Sequence, residues 1–281
     1  MKIAIATCKE QPHLIPTEHY LLNTLAPISE VTPAIWNDST LDWSSYDLVI
    51  IRSTWDYHEH LAEFENWLEH LAENDISVLN SVDIIKNNIH KFYLKGLEDN
   101  GLPIISTHFL KKENTSNFSL KILCEEKSWD SIVVKPAVSC GAWHTYKLEG
   151  LSEIKQFSFP IENDWLIQPF VTEIARQGEI SLMFFNNRYS HAVVKKAKKG
   201  DFRVQEEFGG KAQMFFPPSQ VISLAQKVVD YYKAQMLYSR VDGVITHEGF
   251  KIMEVELIEP ELFLLDSTIQ KNFKEAILQN I

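Results

Sequence analysis

The first eighty residues alternate short apolar runs with segments of helical periodicity, and this alternation restricts the fold more than any other feature. Three runs are predicted strands and two segments are predicted helices: strands 2–7, 47–53 and 77–79, and helices 16–25 and 59–73. Strands that alternate with helices predict an α/β N-terminal domain with a parallel sheet, over about residues 1–85. Ligands of such sheets usually bind at the carboxyl ends of the strands.

Beyond residue 85 the pattern changes to antiparallel strands. Seven strands and one long helix are predicted: strands 104–110, 131–136, 165–170, 179–185, 188–195, 240–246 and 250–257, and helix 217–235. Asn186-Asn187 between two of these strands is a favourable hairpin turn. We therefore expect an α+β region of two lobes with antiparallel sheets, residues 86–170 and 171–281.

Charge and cysteine content exclude several classes of function. The chain carries 27 Lys and Arg against 38 Asp and Glu, a net charge of −11, so we expect neither a nucleic-acid partner nor an acidic membrane partner. Its three cysteines include no CxxC motif, which argues against a disulfide scaffold and a structural zinc site. Signal-peptide and membrane-span patterns are absent, so a cytoplasmic location is expected.

Three carboxylates lie on the last predicted hairpin. Glu254 and Glu256 are two residues apart and therefore point to the same face of their strand, where Asp242 on the partner strand can face them. Like charges gathered on one face are costly unless a cation neutralises them, and carboxylate oxygens suit Mg²⁺ or Mn²⁺. The alternative is an exposed acidic strand face without a ligand.

Cationic residues lie near short loops of small residues. Lys135 ends an apolar strand, and the Ser139-Cys140-Gly141-Ala142 loop that follows allows backbone N–H groups to approach a phosphate. Arg203 precedes Gly209-Gly210 and can bind a negative group with two hydrogen bonds. For each, the alternative is an ordinary surface residue beside a solvated loop.

Familiar nucleophile motifs are missing from the sequence. It contains neither GxSxG nor HExxH. Cys140 lacks a histidine or asparagine at a familiar catalytic spacing. We therefore do not expect a side-chain nucleophile.

The order of these motifs resembles the ATP-grasp superfamily, over about residues 1–265. The motifs that carry the resemblance are Lys91, the Lys135–Gly141 segment, Gln168–Val171, the group Arg203, Gln205, Gly209 and Gly210, and Arg240-Val241-Asp242 with Glu254 and Glu256. Residues 52–57 (RSTWDY), 202–205 (FRVQ) and 256–263 (ELIEPELF) are similar to one branch of the glutathione-synthetase-like group. That branch comprises the cyclo-ligases of D-cycloserine biosynthesis, which close O-ureido-D-serine into a ring.

The resemblance implies a role for most of these residues. ATP is the expected cofactor, with two Mg²⁺ ions (or Mn²⁺) on Asp242, Glu254 and Glu256. Many relatives have Glu-x-Asn at the last pair, and the loop at residues 137–141 has fewer glycines than usual. The residues implied in nucleotide binding are Lys91 and Lys135 for the phosphates, Ser139 and Gly141 in the loop, Gln168, Phe170 and Val171 at adenine, and Glu173 or Glu179 at the ribose.

The implied reaction is an ADP-forming carboxylate–amine ligation through an acyl phosphate, on an amino-acid-like or small peptide substrate. Lys195 and Arg203 are expected to stabilise the transferred phosphoryl group and the tetrahedral oxyanion. The alternatives are a non-catalytic ATP-binding protein and a phosphotransferase on the same scaffold. Many relatives are dimers or tetramers, which implies a homodimer or homotetramer.

The RSTWDY segment follows a buried strand, so we expect it at that strand's carboxyl end, on the substrate side of the site. Arg52 is predicted to hold a substrate carboxylate and Asp56 an ammonium group, with hydroxyl contacts from Ser53 and Thr54. Gly209 and Gly210 are assigned to the same substrate side. The alternative is that Trp55 and Tyr57 cap the core while Asp56 begins the next helix.

Overall fold

The computed structural model describes residues 1–198, 200–201, 203–204 and 208–281. Phe202 and Gln205, which contribute to the resemblance, lie outside the described residues. No helix in the described part of the chain is both long enough and apolar enough to cross a bilayer.

A four-stranded parallel sheet occupies the N-terminal region, as predicted. Its elements are β1 (Lys2–Thr7), α1 (Tyr20–Leu25), β2 (Glu30–Ile35), β3 (Leu48–Ser53), α2 (Leu61–Glu73) and β4 (Ser77–Leu79). The strand order is β2-β1-β3-β4, with every pair parallel. The sequence pattern did not predict β2, because this strand contains Pro33 and polar residues. Proline in a sheet is tolerated mainly in edge strands, and β2 is an edge strand.

Two antiparallel sheets follow, which confirms the predicted fold class. After helices α3 (Val82–Ile89) and α4 (Tyr93–Asp99), the middle region contains β5 (His108–Leu110), α5 (Leu120–Lys127), β6 (Ser131–Pro136), β7 (Tyr146–Glu149), α6 (Gly150–Gln156) and β8 (Trp165–Pro169). Its strand order is β5-β8-β6-β7, with each pair antiparallel.

The C-terminal region forms a five-stranded sheet. Its elements are α7 (Thr172–Gln177), β9 (Glu179–Phe185), β10 (Arg188–Lys196), β11 (Lys211–Phe215), α8 (Ser219–Tyr231), β12 (Tyr238–Thr246), β13 (Gly249–Glu256) and α9 (Ser267–Leu278). The order is β11-β10-β9-β12-β13, and all pairs are antiparallel. The predicted turn at Asn186 and Asn187 connects β9 to β10, and both residues adopt positive φ, as this turn requires.

Two predicted helices are shorter in the structure. The segment 16–25 is divided into a 3₁₀ turn at Pro16–Glu18 and the helix α1, and this turn carries the buried Glu18. The segment 217–235 forms a helix only over Ser219–Tyr231, because two prolines precede it and Lys233 adopts a φ of 50°.

The three regions share their cores. One face of the parallel sheet packs with residues of the C-terminal region, among them Ile5 and Ile50 with Met183 and Phe273. Residues of α3 and α4 pack on the C-terminal sheet as well, in one cluster with Leu182, Val241 and Val255. The three-domain division at residues 85 and 170 stays a prediction.

Candidate active site

A cleft lies between the middle and C-terminal sheets. It encloses about 1160 Å³ of empty space, including its open mouth. Eleven of the predicted site residues line it: Lys91, Lys135, Ser139, Gly141, Gln168, Phe170, Val171, Glu179, Arg203, Glu254 and Glu256. Nine do not: Glu173, Lys195, Asp242, Arg52, Ser53, Thr54, Asp56, Gly209 and Gly210.

Two lysines converge on one carboxylate at the base of this cleft. The Nζ atom of Lys91 lies 3.2 Å from Oε1 of Glu254, and the Nζ atom of Lys135 lies 3.5 Å from Oε2. Burial opposes ionisation of Glu254, but the two lysines outweigh it and hold its pKa below the ordinary value. Lys91 and Lys135 are 5% and 9% exposed, so two buried positive charges are available beside this carboxylate.

The backbone fixes the position of both lysines. The N–H of Lys91 donates to the carbonyl of Ala137 (2.8 Å), which ties the segment before α4 to the end of β6, where Lys135 lies. The Nζ atom of Lys91 also donates to the carbonyl of Ser139 (2.5 Å). Gly141 has a φ of 59°, in the left-handed region that favours glycine. The small-residue loop is thus held against Lys91 at the cleft.

A buried ionic cluster lies behind the cleft, on strands β9, β10, β12 and β13. Arg240 donates to both carboxylate oxygens of Asp242 (2.9–3.0 Å) and also contacts Glu256. Ser181 and Lys195 complete the surroundings of Asp242, at 2.5 Å and 3.4 Å. Burial opposes ionisation of Asp242, but Arg240 and Lys195 lower its pKa to about 2. Asp242 is therefore charged and fully paired.

The three predicted metal ligands differ in whether they face the cleft. Asp242 lies directly opposite Glu254 in the β12–β13 register, but its carboxylate is directed to Arg240 and does not line the cleft. Burial raises the pKa of Glu256 to about 8 despite Arg240, which marks a carboxyl with too little positive charge around it. Glu254 and Glu256 thus fit a hard divalent cation, whereas Asp242, as placed here, supports the cluster behind them.

Three potential metal-donor side chains lie together outside the cleft. Within the described ranges, the one set of three potential metal donors gathered within 4.8 Å is Cys8, Glu10 and Asp56. None of these residues lines the cleft.

The predicted adenine and ribose residues lie at the end of β8 and the start of β9. Gln168, Phe170 and Val171 line the cleft, and the amide of Gln168 donates to Thr107 Oγ1 (2.9 Å). Of the two alternatives for the ribose, Glu179 lines the cleft and its carboxylate lies 2.5 Å from Lys195. Glu173 lies outside the cleft lining, 3.8 Å from Arg176.

The two basic residues assigned to the phosphoryl group differ in position. Arg203 lines the cleft, donates to Asp201 (2.8 Å) and lies over the Phe208 ring. Lys195 is 7% exposed, is paired with Glu179 and Asp242 and does not line the cleft, so its expected role in stabilising the phosphoryl group stays a prediction. Gly209 and Gly210 also lie outside the cleft lining, contrary to expectation.

The substrate role predicted for Arg52 is contradicted by its environment. Its Nε and Nη2 atoms both donate to Oε1 of Glu18 (2.8 and 2.5 Å), and Nη2 also donates to the carbonyl of Pro260 (2.7 Å). The guanidinium is stacked 4.7 Å from the Tyr238 ring and is 1% exposed. A side chain with its charge neutralised inside the core cannot bind a ligand in the cleft.

The neighbours of Arg52 are structural too. Ser53 is buried and hydrogen-bonded to Thr7 Oγ1 (2.8 Å), and Thr54 is fully buried. Asp56 accepts a hydrogen bond from Trp36 Nε1 (2.7 Å) instead of capping a helix or facing the cleft. The alternative given for the aromatic residues is confirmed for Tyr57, which packs in the core with Phe64 and also reaches the cleft.

Several residues that line the cleft were not assigned by the sequence analysis. Tyr93 and Asn88 bind the backbone of β13: the Tyr93 hydroxyl accepts from the N–H of Val255, and the Asn88 amide donates to its carbonyl (2.8 and 2.9 Å). The most distinctive is Glu259, a carboxylate in the loop after β13 that is 5% exposed. In the sequence, Glu259 is indicated only by its position within the segment 256–263, which contributes to the family resemblance.

Known proteins match both the N-terminal region and the whole chain. The family model for the N-terminal domain of D-cycloserine synthetase DcsG matches residues 3–80. The cycloserine biosynthesis protein DcsG of Streptomyces lavendulae is 26% identical over 246 residues, 82% of this chain and 81% of that protein.

Solved structures match over nearly the full length. The crystal structure of D-cycloserine synthetase DcsG has a TM-score of 0.82 at 22% identity, covering 100% of this chain and 99% of the other. A D-alanine–D-alanine ligase from Bacillus anthracis has a TM-score of 0.72 at 15% identity, covering 99% and 96%, and its complex with ATP has 0.67 at 15%, covering 100% and 97%. At these identities the structural likeness shows the fold. By sequence the chain is a relative of the cycloserine-biosynthesis protein DcsG, and its fold is that of D-cycloserine synthetase and the D-alanine–D-alanine ligase.

Proposed function

We propose that this enzyme is an ADP-forming ligase that activates a substrate carboxylate as an acyl phosphate for attack by an amine. The observation that carries the proposal is the convergence of Lys91 and Lys135 on Glu254 inside one cleft. Two buried lysines beside a metal-compatible carboxylate suit a polyphosphate with a divalent cation. The likeness to a ligase solved with ATP supports ATP as the nucleotide.

Nucleotide binding requires an exchange of ionic partners. In the free protein both lysines are paired with Glu254. Phosphate oxygens can replace that carboxylate as their partners, which leaves Glu254 available, with Glu256, to hold Mg²⁺. The cation supplies charge neutralisation for the phosphates when it is bound. Lys91 also donates a hydrogen bond to the carbonyl of Ser139, so nucleotide binding at this lysine is coupled to the position of the small-residue loop.

The remaining residues position the reactants. Arg203 lines the cleft and offers a guanidinium to the transferred phosphoryl group in exchange for Asp201. The cluster of Arg240, Asp242 and Lys195 keeps Glu256 and Glu179 in place from behind. No nucleophilic side chain is required, because the amine of the substrate attacks the acyl phosphate and phosphate leaves.

The substrate class proposed is an amino acid or small peptide, and ring closure of one molecule is included. The similarity to a cycloserine biosynthesis protein supports an amino-acid-derived substrate. A phosphotransferase on the same fold and a non-catalytic nucleotide-binding protein are the competing functions. The presence of Lys91, Lys135 and Glu254 in one cleft disfavours the non-catalytic alternative.

Release of ADP separates these functions. Purified enzyme with ATP and Mg²⁺ is screened against amino acids, dipeptides and O-ureido-D-serine, with ADP measured by a coupled assay. A ligase releases ADP only when both an acid and an amine are available, in one molecule or two. ADP release that is unaffected by omission of every amine would support the phosphotransferase. Absence of ATP binding by calorimetry would support the non-catalytic protein.

A further inference from the structure

One carboxylate in the cleft differs from its neighbours because it has no partner among the described residues. The side chain of Glu259 makes no hydrogen bond or ion pair with any group in the described part of the chain, although the residue is 5% exposed. The other acidic residues around it are each paired with a basic group: Glu179 with Lys195, Glu254 with Lys91, and Asp242 and Glu256 with Arg240. A buried carboxylate without a partner is costly, so its position requires an explanation.

The backbone on either side of Glu259 is held rigidly. The Tyr238 hydroxyl lies 2.8 Å from the carbonyl oxygen of Ile258, and Trp55 Nε1 donates to the carbonyl of Glu259 itself (3.2 Å). Arg52 Nη2 donates to the carbonyl of Pro260 (2.7 Å). Three consecutive carbonyls thus contact side chains outside the loop, and two of them accept hydrogen bonds from Trp55 and Arg52. The loop therefore presents Glu259 to the cleft from a fixed backbone.

The charges around Glu259 leave it short of positive neighbours. Burial raises its pKa to about 7; Arg240, Lys91 and Arg52 lower the pKa in part, while Glu254 raises it further. Other titratable groups that face it are Glu256, Tyr57 and Cys140, whose own pKa values are raised by burial and by the Glu259 charge, and Tyr238. Each of the three basic residues already has another acidic or carbonyl partner. The surroundings of Glu259 therefore contain too little positive charge, which a bound cation would supply.

We propose that Glu259 binds the cationic amino group of the amino-acid substrate. The inference rests on the proposed ligase function and adds the subsite that distinguishes an amino acid from a simple carboxylic acid. The positive side chains Lys91, Lys135 and Arg203 line the same cleft and suit the anionic reactants. A substrate with a carboxylate and an ammonium group matches this separation of charge, because each end meets groups of opposite sign.

The test compares probes that differ only in the amino group. D-Serine is matched with 3-hydroxypropionate and D-alanine with propionate, and O-ureido-D-serine is included as a third amino-bearing probe. Each is titrated calorimetrically into enzyme saturated with ADP and Mg²⁺. The variants are Glu259→Gln, which keeps the shape of the side chain, and Glu248→Gln, which removes a charge from the exposed β12–β13 turn as a control.

We expect at least one amino-bearing probe to bind wild-type enzyme about tenfold to a hundredfold more tightly than its analogue without the amino group, the scale of a hydrogen bond to a charged group. This preference should disappear in Glu259→Gln and persist in Glu248→Gln. At pH 7, binding to wild type should also release protons to the buffer, because the cation favours the carboxylate form of Glu259 over its carboxylic acid.

Three outcomes would overturn the assignment while ADP still binds: equal affinities for the matched probes in wild type, failure of every amino-bearing probe to bind, or an unchanged preference in Glu259→Gln. The comparison of matched probes on wild type does not depend on any variant and holds even if Glu259→Gln folds poorly. A wild-type enzyme that binds no ADP and releases none from ATP would instead contradict the proposed function itself.

Discussion

The ammonium group of Lys91 lies 3.2 Å from the carboxylate of Glu254, so a predicted phosphate ligand and a predicted metal ligand neutralise each other in the free protein. Lys135 reaches the other oxygen of the same carboxylate. A nucleotide must therefore compete with Glu254 for both lysines. Removal of the Glu254 charge should therefore change nucleotide binding as well as metal binding.

Replacement of Glu254 by Gln should have opposite effects on binding and turnover. Without metal, ATP should bind about tenfold more tightly, because the lysines no longer give up an ion pair. With Mg²⁺, ADP release should be lost, because the cation has lost a ligand. Calorimetry in EDTA and a coupled ADP assay measure the two effects, with Glu248→Gln as the control. Wild-type ADP release by Glu254→Gln would contradict the assignment.

Lys91 and Lys135 should differ in their effect on the neighbouring loop. Both Lys91→Ala and Lys135→Ala should weaken ATP binding by about 1–3 kcal/mol, the scale of a hydrogen bond to a charged group. Only Lys91→Ala should also increase amide hydrogen exchange at residues 139–142, because Lys91 alone of the two binds the Ser139 carbonyl. Mass-spectrometric exchange without nucleotide gives the comparison. Equal protection of the loop in the two variants would show that this hydrogen bond does not hold it.

Replacement of Arg52 should destabilise the fold. The variant Arg52→Ala leaves Glu18 as an uncompensated charge in the core, which typically costs about 3–5 kcal/mol. Glu18→Gln combined with Arg52→Met removes both charges and should be less destabilised than Arg52→Ala alone. Urea unfolding of wild type, Arg52→Ala and the double variant gives the three stabilities to be compared. An Arg52→Ala protein with wild-type stability and a raised KM for substrate would restore the original substrate hypothesis.

The pKa of Glu259 predicts a pH dependence of stability in the absence of ligands. Its pKa of about 7 in the folded protein exceeds the ordinary value of 4.5, so the folded state binds more protons between these values. Its contribution to the free energy of unfolding is therefore complete below pH 4.5 and is lost as pH rises to about 7, by up to about 3 kcal/mol. Relative to wild type, Glu259→Gln should gain stability between pH 5 and pH 8. Parallel pH profiles of the two proteins in denaturant unfolding would contradict the shift.

The sequence predicted the fold class and part of the site because these depend on local patterns. Buried strands and a two-residue turn have recognisable periodicity, and Lys135 follows directly from its place at the end of an apolar strand. The opposition of Asp242 and Glu254 likewise follows from hairpin pairing.

The partners of charged residues were not predicted, because most of them are distant in the sequence. Arg52 has the same local sequence whether it binds a ligand or Glu18, which is 34 residues away in a short turn that no periodicity marks. Lys195 reaches Glu179 and Asp242 only through the order of strands in the sheet. Asp242 is different, since Arg240 is two residues away on the same strand face and its pairing could have been anticipated.

The transfer of oxygen from substrate to phosphate tests the central claim most directly. The amino-acid substrate that supports ADP release is labelled with ¹⁸O in its carboxylate and incubated with ATP, Mg²⁺ and enzyme. An acyl phosphate intermediate predicts that one ¹⁸O atom per turnover appears in inorganic phosphate, alongside ADP, as seen by ³¹P NMR or mass spectrometry. Unlabelled phosphate, or the formation of AMP and diphosphate, would contradict activation of the carboxylate by phosphoryl transfer in this cleft.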